Sequence, residues 1–162
     1  RISPEAPVPV VEVVRMEDRL GGAGNVVRNL ATIGAKPMVC GLVGDDEEGA
    51  SVGRLLDEIG AERDGLLVDS GRPTVLKTRI IAHTQQIARI DREKKDELPS
   101  QLSTKLGTSL EDAIDRSKAV ILSDYGKGTV SQDVLRILTQ AYGSGRLSLK
   151  NRPLFVDPHP RI

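Results

Sequence analysis

The chain has no tryptophan, one phenylalanine and two tyrosines among 162 residues. Single-stranded nucleic acid is gripped by stacking bases on such rings, so that class of partner is excluded. An excess of charge of one sign is also missing. Lysine and arginine total 23, aspartate and glutamate total 23, and the formal net charge is zero. No basic face is implied for a phosphate backbone or an anionic membrane. The single cysteine, Cys40, lies in the apolar run Met38-Val-Cys-Gly-Leu-Val43. One cysteine excludes a disulfide framework and a cysteine-based metal site, and this one is expected as a buried, reduced thiol. The two histidines, His83 and His159, have no Ser or Cys companion in sequence, and no His/Cys/Asp cluster has metal-ligand spacing. No apolar run reaches membrane-span length and no signal peptide is visible, so a cytoplasmic protein is expected. The chain opens on Arg1 without an initiator Met and stops just after an apolar strand. A piece of a longer protein is therefore expected, with the C-terminal part of the domain outside it.

What is present centres on Leu20-Gly-Gly-Ala-Gly-Asn-Val-Val-Arg-Asn-Leu-Ala-Thr-Ile-Gly34. Val26, Val27, Leu30, Ala31 and Ile33 recur at helical spacing, and Gly34 stands where a helix C-terminal glycine belongs. Glycines ahead of a helix let backbone approach a ligand, and the positive end of the dipole favours oxygens or anions there. Two readings stay open. Asn25 is either a helix cap beside a glycine turn, or part of the floor of a small-molecule pocket.

Along the chain, Pro4, Pro7 and Pro9 lead into Val8–Val14, which reads as an edge strand. After the glycine segment, Lys36–Val43 reads as a buried strand. A helix follows from about Asp46 to Ile59, capped by Asp45 or Asp46 and stopped by Gly60. Thr74–Ala82 and Gln86–Asp91 read as a hairpin turning at His83-Thr84-Gln85. Glu93-Lys-Lys-Asp-Glu97 is a solvated charge run. A helix spans Ser100 to Arg116, with Leu102, Leu106, Leu110 and Ile114 four apart. Ala119–Asp124 is an apolar strand of the kind buried on both faces. Ser131 caps a helix through Tyr142 that buries Val134, Leu135, Leu138 and Ala141, and Leu154–Val156 is a last strand. Helices alternating with short apolar strands predict a doubly wound α/β core. The β-rich pieces near 8–14 and 74–91 lack intervening helices and predict a separate small sheet. Ligands in this architecture bind beyond the C-terminal strand ends. That singles out Gly44-Asp-Asp46, Ser123-Asp-Tyr-Gly-Lys-Gly128 and Asp157-Pro-His159.

Several chemistries can be weighed on these loops. Gly22-x-Gly24 with Asp45 after the next strand partly resembles a dinucleotide fingerprint, but Val27 takes the third glycine position and Arg15–Arg19 separates glycines from strand. No Walker-type phosphate loop occurs. On Asp124-Tyr-Gly-Lys127 a carboxylate and an ammonium at a strand mouth can grip a hydroxyl and a phosphate. The plain alternative is a self-satisfied turn with Lys127 in water. Arg89 and Asp91 share a strand face with Ile87, which is either a solvated face or the cover of a polar ligand.

Taken together, Gly21–Ala35, Gly41-Leu-Val-Gly-Asp-Asp46, Arg1–Val11, Lys77-Thr-Arg79 with Gln85-Gln86 and Arg89-Ile-Asp91, and Leu122-Ser-Asp-Tyr-x-Lys-Gly128 resemble the ribokinase-like (PfkB-type) carbohydrate kinases. Within that family the likeness is to the heptose-7-phosphate kinase domain of bifunctional ADP-heptose synthases. The resemblance covers most of the chain. It implies a ribokinase-like α/β sandwich with a small β-sheet lid: lid strands near 8–14 and 74–91, α/β core near 20–70 and 99–162, all in one truncated domain. It implies a sugar between lid and core, and a homodimer through the lid. On the matching positions Gly21, Gly22 and Asn25 approach sugar hydroxyls, Asp124 holds another, and Lys127 with Arg79 or Arg89 holds the substrate's phosphate. The implied reaction moves the ATP γ-phosphoryl group, with Mg²⁺, to the anomeric hydroxyl of D-glycero-D-manno-heptose 7-phosphate, a step towards ADP-heptose. Two departures stand out. Asp157-Pro-His159 replaces the family's Asp-Pro-Lys, and the second signature, Asp-x-x-Gly-Ala-Gly-Asp, which carries the catalytic Asp, is not in these residues. The isolated piece is therefore expected to be inactive. The alternatives are a non-catalytic sugar-phosphate binding or dimerisation module and, more remotely, an NAD(P)-dependent oxidoreductase.

Overall fold

The computed structural model describes residues 2–8 and 10–159. The architecture is two β-α-β units separated in the chain by a hairpin and a long helix. In the first unit, strands β1 (Met38–Gly44) and β2 (Glu62–Asp69) pair in parallel across α2 (Glu47–Glu58). The connection closes because both helix ends are specified. The Asp46 carboxylate accepts the Gly49 N–H at 2.8 Å, Glu47 and Glu48 occupy the positive first turn, and Gly60 leaves the helix at φ +69°. In the second unit, β5 (Val120–Ser123) and β6 (Leu154–Asp157) pair in parallel across α4 (Gln132–Gly143). Ser131 caps α4 through the Val134 N–H.

Between the units lie the antiparallel hairpin β3 (Leu76–Ala82) and β4 (Gln85–Arg92) and then α3 (Ser100–Arg116). The hairpin turns on His83 and Thr84, with His83 at φ +54°. Helix α3 packs on β1 and β2 along one side and on α4 along the other. The core follows from that placement. Leu106, Ile114, Val134, Ile137, Leu138, Ala141 and Leu147 are buried together, with Cys40, Leu67, Val120, Leu122 and Leu154 against them. The glycine segment becomes α1 (Ala23–Thr32), which buries no residue fully.

Several expectations change. Residues 10–14 form no strand, and Val13 and Val14 are 69% and 93% exposed; no named strand among the described residues pairs with this run. Pro9 lies outside the described residues. Helix α1 starts at Ala23, two residues before Asn25, with Gly22 at the cap position, and Asn25 is an exposed interior position that caps nothing. Strand β5 is not buried on both faces, since Ile121 is 40% exposed. On α4 it is Ile137, not Leu135, that enters the core. Strand β2 has no counterpart in the sequence reading. No helix among the described residues is long and apolar enough to cross a membrane.

Candidate functional site

Strands β5 and β6 end side by side, with Ser123 opposite Asp157, and the loops that leave them form the centre of the site. The Asp124 N–H donates to the Asp157 carbonyl at 2.9 Å, and the Asp124 carboxylate accepts the Gly126 N–H at 2.7 Å. That turn needs left-handed backbone at Gly126, φ +64°. A carboxylate has about four lone-pair sites and can accept several hydrogen bonds at once. One residue upstream the Ser123 hydroxyl is buried with no hydrogen-bond partner among the described residues.

The glycine segment arrives at this loop. Gly22 sits at φ 49°, ψ −127° as the residue before α1, and a Cβ there would lie 3.5 Å from the Tyr125 ring. The N-terminus of α1 therefore stands beside Asp124–Lys127, with Gly21 open to solvent. Tyr125 reaches Asp157 at 3.5 Å. His159 packs against Gly126, where a Cβ would meet its ring at 3.2 Å.

The hairpin supplies the third side. On one face β3 and β4 set Lys77 opposite Asp91 and Arg79 opposite Arg89. Lys77 binds Asp91 at 2.7 Å and Arg89 binds the same carboxylate at 2.8 Å. Arg79 makes no ion pair among the described residues, and like charges directly across a ladder repel unless an anion joins them. From the hairpin's exit, Glu93 reaches the core loop and pairs with Lys127. Hydrogen bonding from Lys127 is the main reason the Glu93 carboxyl titrates below its ordinary value. Burial opposes this and Lys95 adds to it. The Asp91 carboxyl is lowered chiefly by its bond from Lys77, then, against the cost of burial, by Arg89. Both carboxylates are charged at neutral pH. Lys127 is held in an ion pair with Glu93 rather than left to water alone.

Of the residues singled out from sequence, Gly21, Gly22, Asp124 and Lys127 come together. Arg89 joins through the chain Asp91–Lys77–Glu93 on the hairpin, and Arg79 lies opposite Arg89 in the ladder but outside that chain. Asn25 lies on the exposed first turns of α1. Sequence reasoning missed the Tyr125 ring and Glu93, which sat in a run read as solvated. The available signal was that this run begins two residues after Asp91 of Arg89-Ile-Asp91. Asp45 is exposed and no strand among the described residues leads into α1, so a dinucleotide fingerprint has no strand-turn-helix to stand on. Among the described residues no group of three or more His, Cys, Asp or Glu side chains is placed to hold a metal ion.

The profile of the pfkB family carbohydrate kinases matches residues 1–160. The chain belongs to this family. Helicobacter pylori has a relative named "Bifunctional protein HldE" that is 50% identical over 141 residues, covering 87% of the chain and 30% of that protein. A protein of the same name from Paramagnetospirillum magneticum is 41% identical over 159 residues, covering 98% of the chain and 31% of its own length. The chain thus spans about a third of the length of the curated relatives it matches. An uncharacterized sugar kinase from Pyrococcus horikoshii superposes with a TM-score of 0.57 at 17% identity, over 81% of the chain and 45% of that structure. The same kinase in complex with ATP gives 0.55 at 17% identity, over 81% and 46%. That likeness shows the fold. The chain is a ribokinase-like α/β structure of the pfkB carbohydrate kinase family.

Proposed function

We propose that the protein containing this chain is an ATP-dependent kinase of a sugar phosphate, D-glycero-D-manno-heptose 7-phosphate, and that these residues bind the sugar. The observation that carries the reading is the meeting of the α1 N-terminus with the β5 loop, Gly22 against the ring of Tyr125, the residue that follows Asp124. The family match and the HldE relatives supply the reaction class. Backbone at Gly21 and Gly22 approaches sugar hydroxyls, Asn25 lies one turn further along α1, and the Asp124 carboxylate accepts a hydrogen bond from another hydroxyl. Lys127 and the Arg79–Arg89 face take the phosphate at the far end of the sugar. Such a grip fixes the anomeric hydroxyl in place, and phosphoryl transfer depends mainly on positioning and charge stabilisation. MgATP would supply the phosphoryl group. No described residue forms a cage for the metal, so no catalytic step is assigned to one. The hairpin acts as a lid, and its second face, with Ile80 beside Ala88 and Thr78 beside Ile90, pairs two copies.

The test is steady-state kinetics of Asp124→Ala in the complete gene product. A lost hydrogen bond to a charged group is worth about 1.5–3 kcal/mol, so kcat/KM for the heptose phosphate falls roughly tenfold to a hundredfold while KM for ATP holds. An unchanged sugar kcat/KM refutes the assignment of Asp124.

A further inference from the structure

Glu93 joins the hairpin's exit to the β5–α4 loop through Lys127. Three ammonium groups from three elements surround it: Lys127 from the loop, Lys95 from the connector at 3.3 Å, and Lys77 from β3 at 3.8 Å. Backbone packing brings the same two segments together. A Cβ at Gly128 would lie 2.7 Å from the Asp96 carbonyl, and Gly128 itself holds φ +82°. Arg72, at the hairpin's entry, donates to the Asp96 and Glu97 carbonyls at 3.3 and 3.4 Å. The two stems of the hairpin are therefore clasped to each other by Arg72 and to the core loop by Glu93. The Glu93 and Lys127 side chains remain 21% and 23% exposed, so solvent-borne ions can reach the pair.

Resting on the reading of Lys127 as a phosphate ligand, we propose that Glu93 is a positioning residue that occupies Lys127 while the cleft is empty and yields it to an entering phosphate. A phosphate monoester brings up to two negative charges and three acceptor oxygens to a site where Lys77, Lys95 and Lys127 face Glu93, and Arg79 has no carboxylate of its own. It can replace the carboxylate at Lys127 while Lys77 and Lys95 continue to hold Glu93. A neutral sugar offers no group able to make that exchange. The pair therefore discriminates for phosphorylated sugars, and the exchange uncouples the hairpin stem from the core loop as the substrate arrives.

The test is calorimetric titration of inorganic phosphate into the complete gene product, with thermal melts confirming that each variant folds. Glu93→Gln removes the internal competitor, and a partly exposed ion pair of this kind corresponds to about a twofold to fivefold gain in phosphate affinity. Glu93→Asp stays near the parent value. In a Lys127→Met background phosphate binds more weakly, and Glu93→Gln brings no gain. Phosphate affinity of Glu93→Gln equal to or below the parent overturns the role of Glu93, as does a gain that persists without Lys127. Lys127→Met alone leaving phosphate binding untouched removes the underlying reading of Lys127 as well, which separates the two failures.

Discussion

Asp69 and Arg72 show what a single charge pair does at the root of the hairpin. Their side chains are 7% and 8% exposed and 2.7 Å apart. Burial pushes the Asp69 carboxyl up, but the Gly71 N–H and the Arg72 guanidinium pull harder, and the net shift is below the ordinary 3.8. A depressed carboxyl contributes stability that is fully present above the unfolded value and lost as pH falls through the folded one. Removing only the cation strands a buried carboxylate. Arg72→Met is expected to cost about 3 kcal/mol in urea unfolding near pH 7 and to diminish the acid loss of stability below pH ~4. A cost under about 1 kcal/mol would show that water already solvates the pair. Asp46 works in the same direction through softer contacts. Burial opposes ionisation, while the Thr74 hydroxyl and N–H, the Gly49 N–H and Arg92 together lower its pKa. Its bonds from Thr74, at 2.6 and 2.9 Å, tie the start of α2 to the segment that leads into the hairpin.

The elements divide by how local their cause is. Helix α3 was legible to its last residue because Leu102, Leu106, Leu110 and Ile114 repeat at helical spacing over 17 residues. The α2 and α4 starts were legible because Asp46 and Ser131 are cap residues with local work to do. Strand β2 was hidden by its composition. Glu62, Arg63 and Asp64 open it, and Gly65 interrupts it, because a Cβ there would lie 2.6 Å from Cys40 Sγ and 2.8 Å from the Val39 carbonyl. Nothing local reports that crowding across the sheet. The run 8–14 misled for the opposite reason: its residues suit a strand, yet a ladder needs a partner. Contacts of the site were the least legible, since Glu93 and Lys127 are 34 residues apart. For the hairpin as an element, Ile90 at 58% exposure marks the face proposed to pair two copies. Ile90→Lys should turn a dimer of the complete gene product into a monomer in sedimentation velocity. A dimer that survives this change pairs elsewhere.

At the scale of the whole molecule, two parallel β-α-β units share α3, and the chain between them carries the hairpin over the strand ends. Parallel strands are ordinarily covered on both faces, whereas Val68, Phe155 and Val156 stand 56%, 57% and 55% exposed. The chain is about a third of the length of its HldE relatives. It holds the β5 loop, the α1 N-terminus and the cationic hairpin face that the proposal assigns to the sugar phosphate, and turnover is assigned to the complete gene product. The most direct measurement is ³¹P NMR of that product incubated with MgATP and D-glycero-D-manno-heptose 7-phosphate. A heptose kinase consumes ATP and gives one new phosphate resonance coupled to the anomeric proton, with the 7-phosphate retained. A new phosphate at another carbon, or ATP and heptose 7-phosphate both left unchanged, contradicts the assignment.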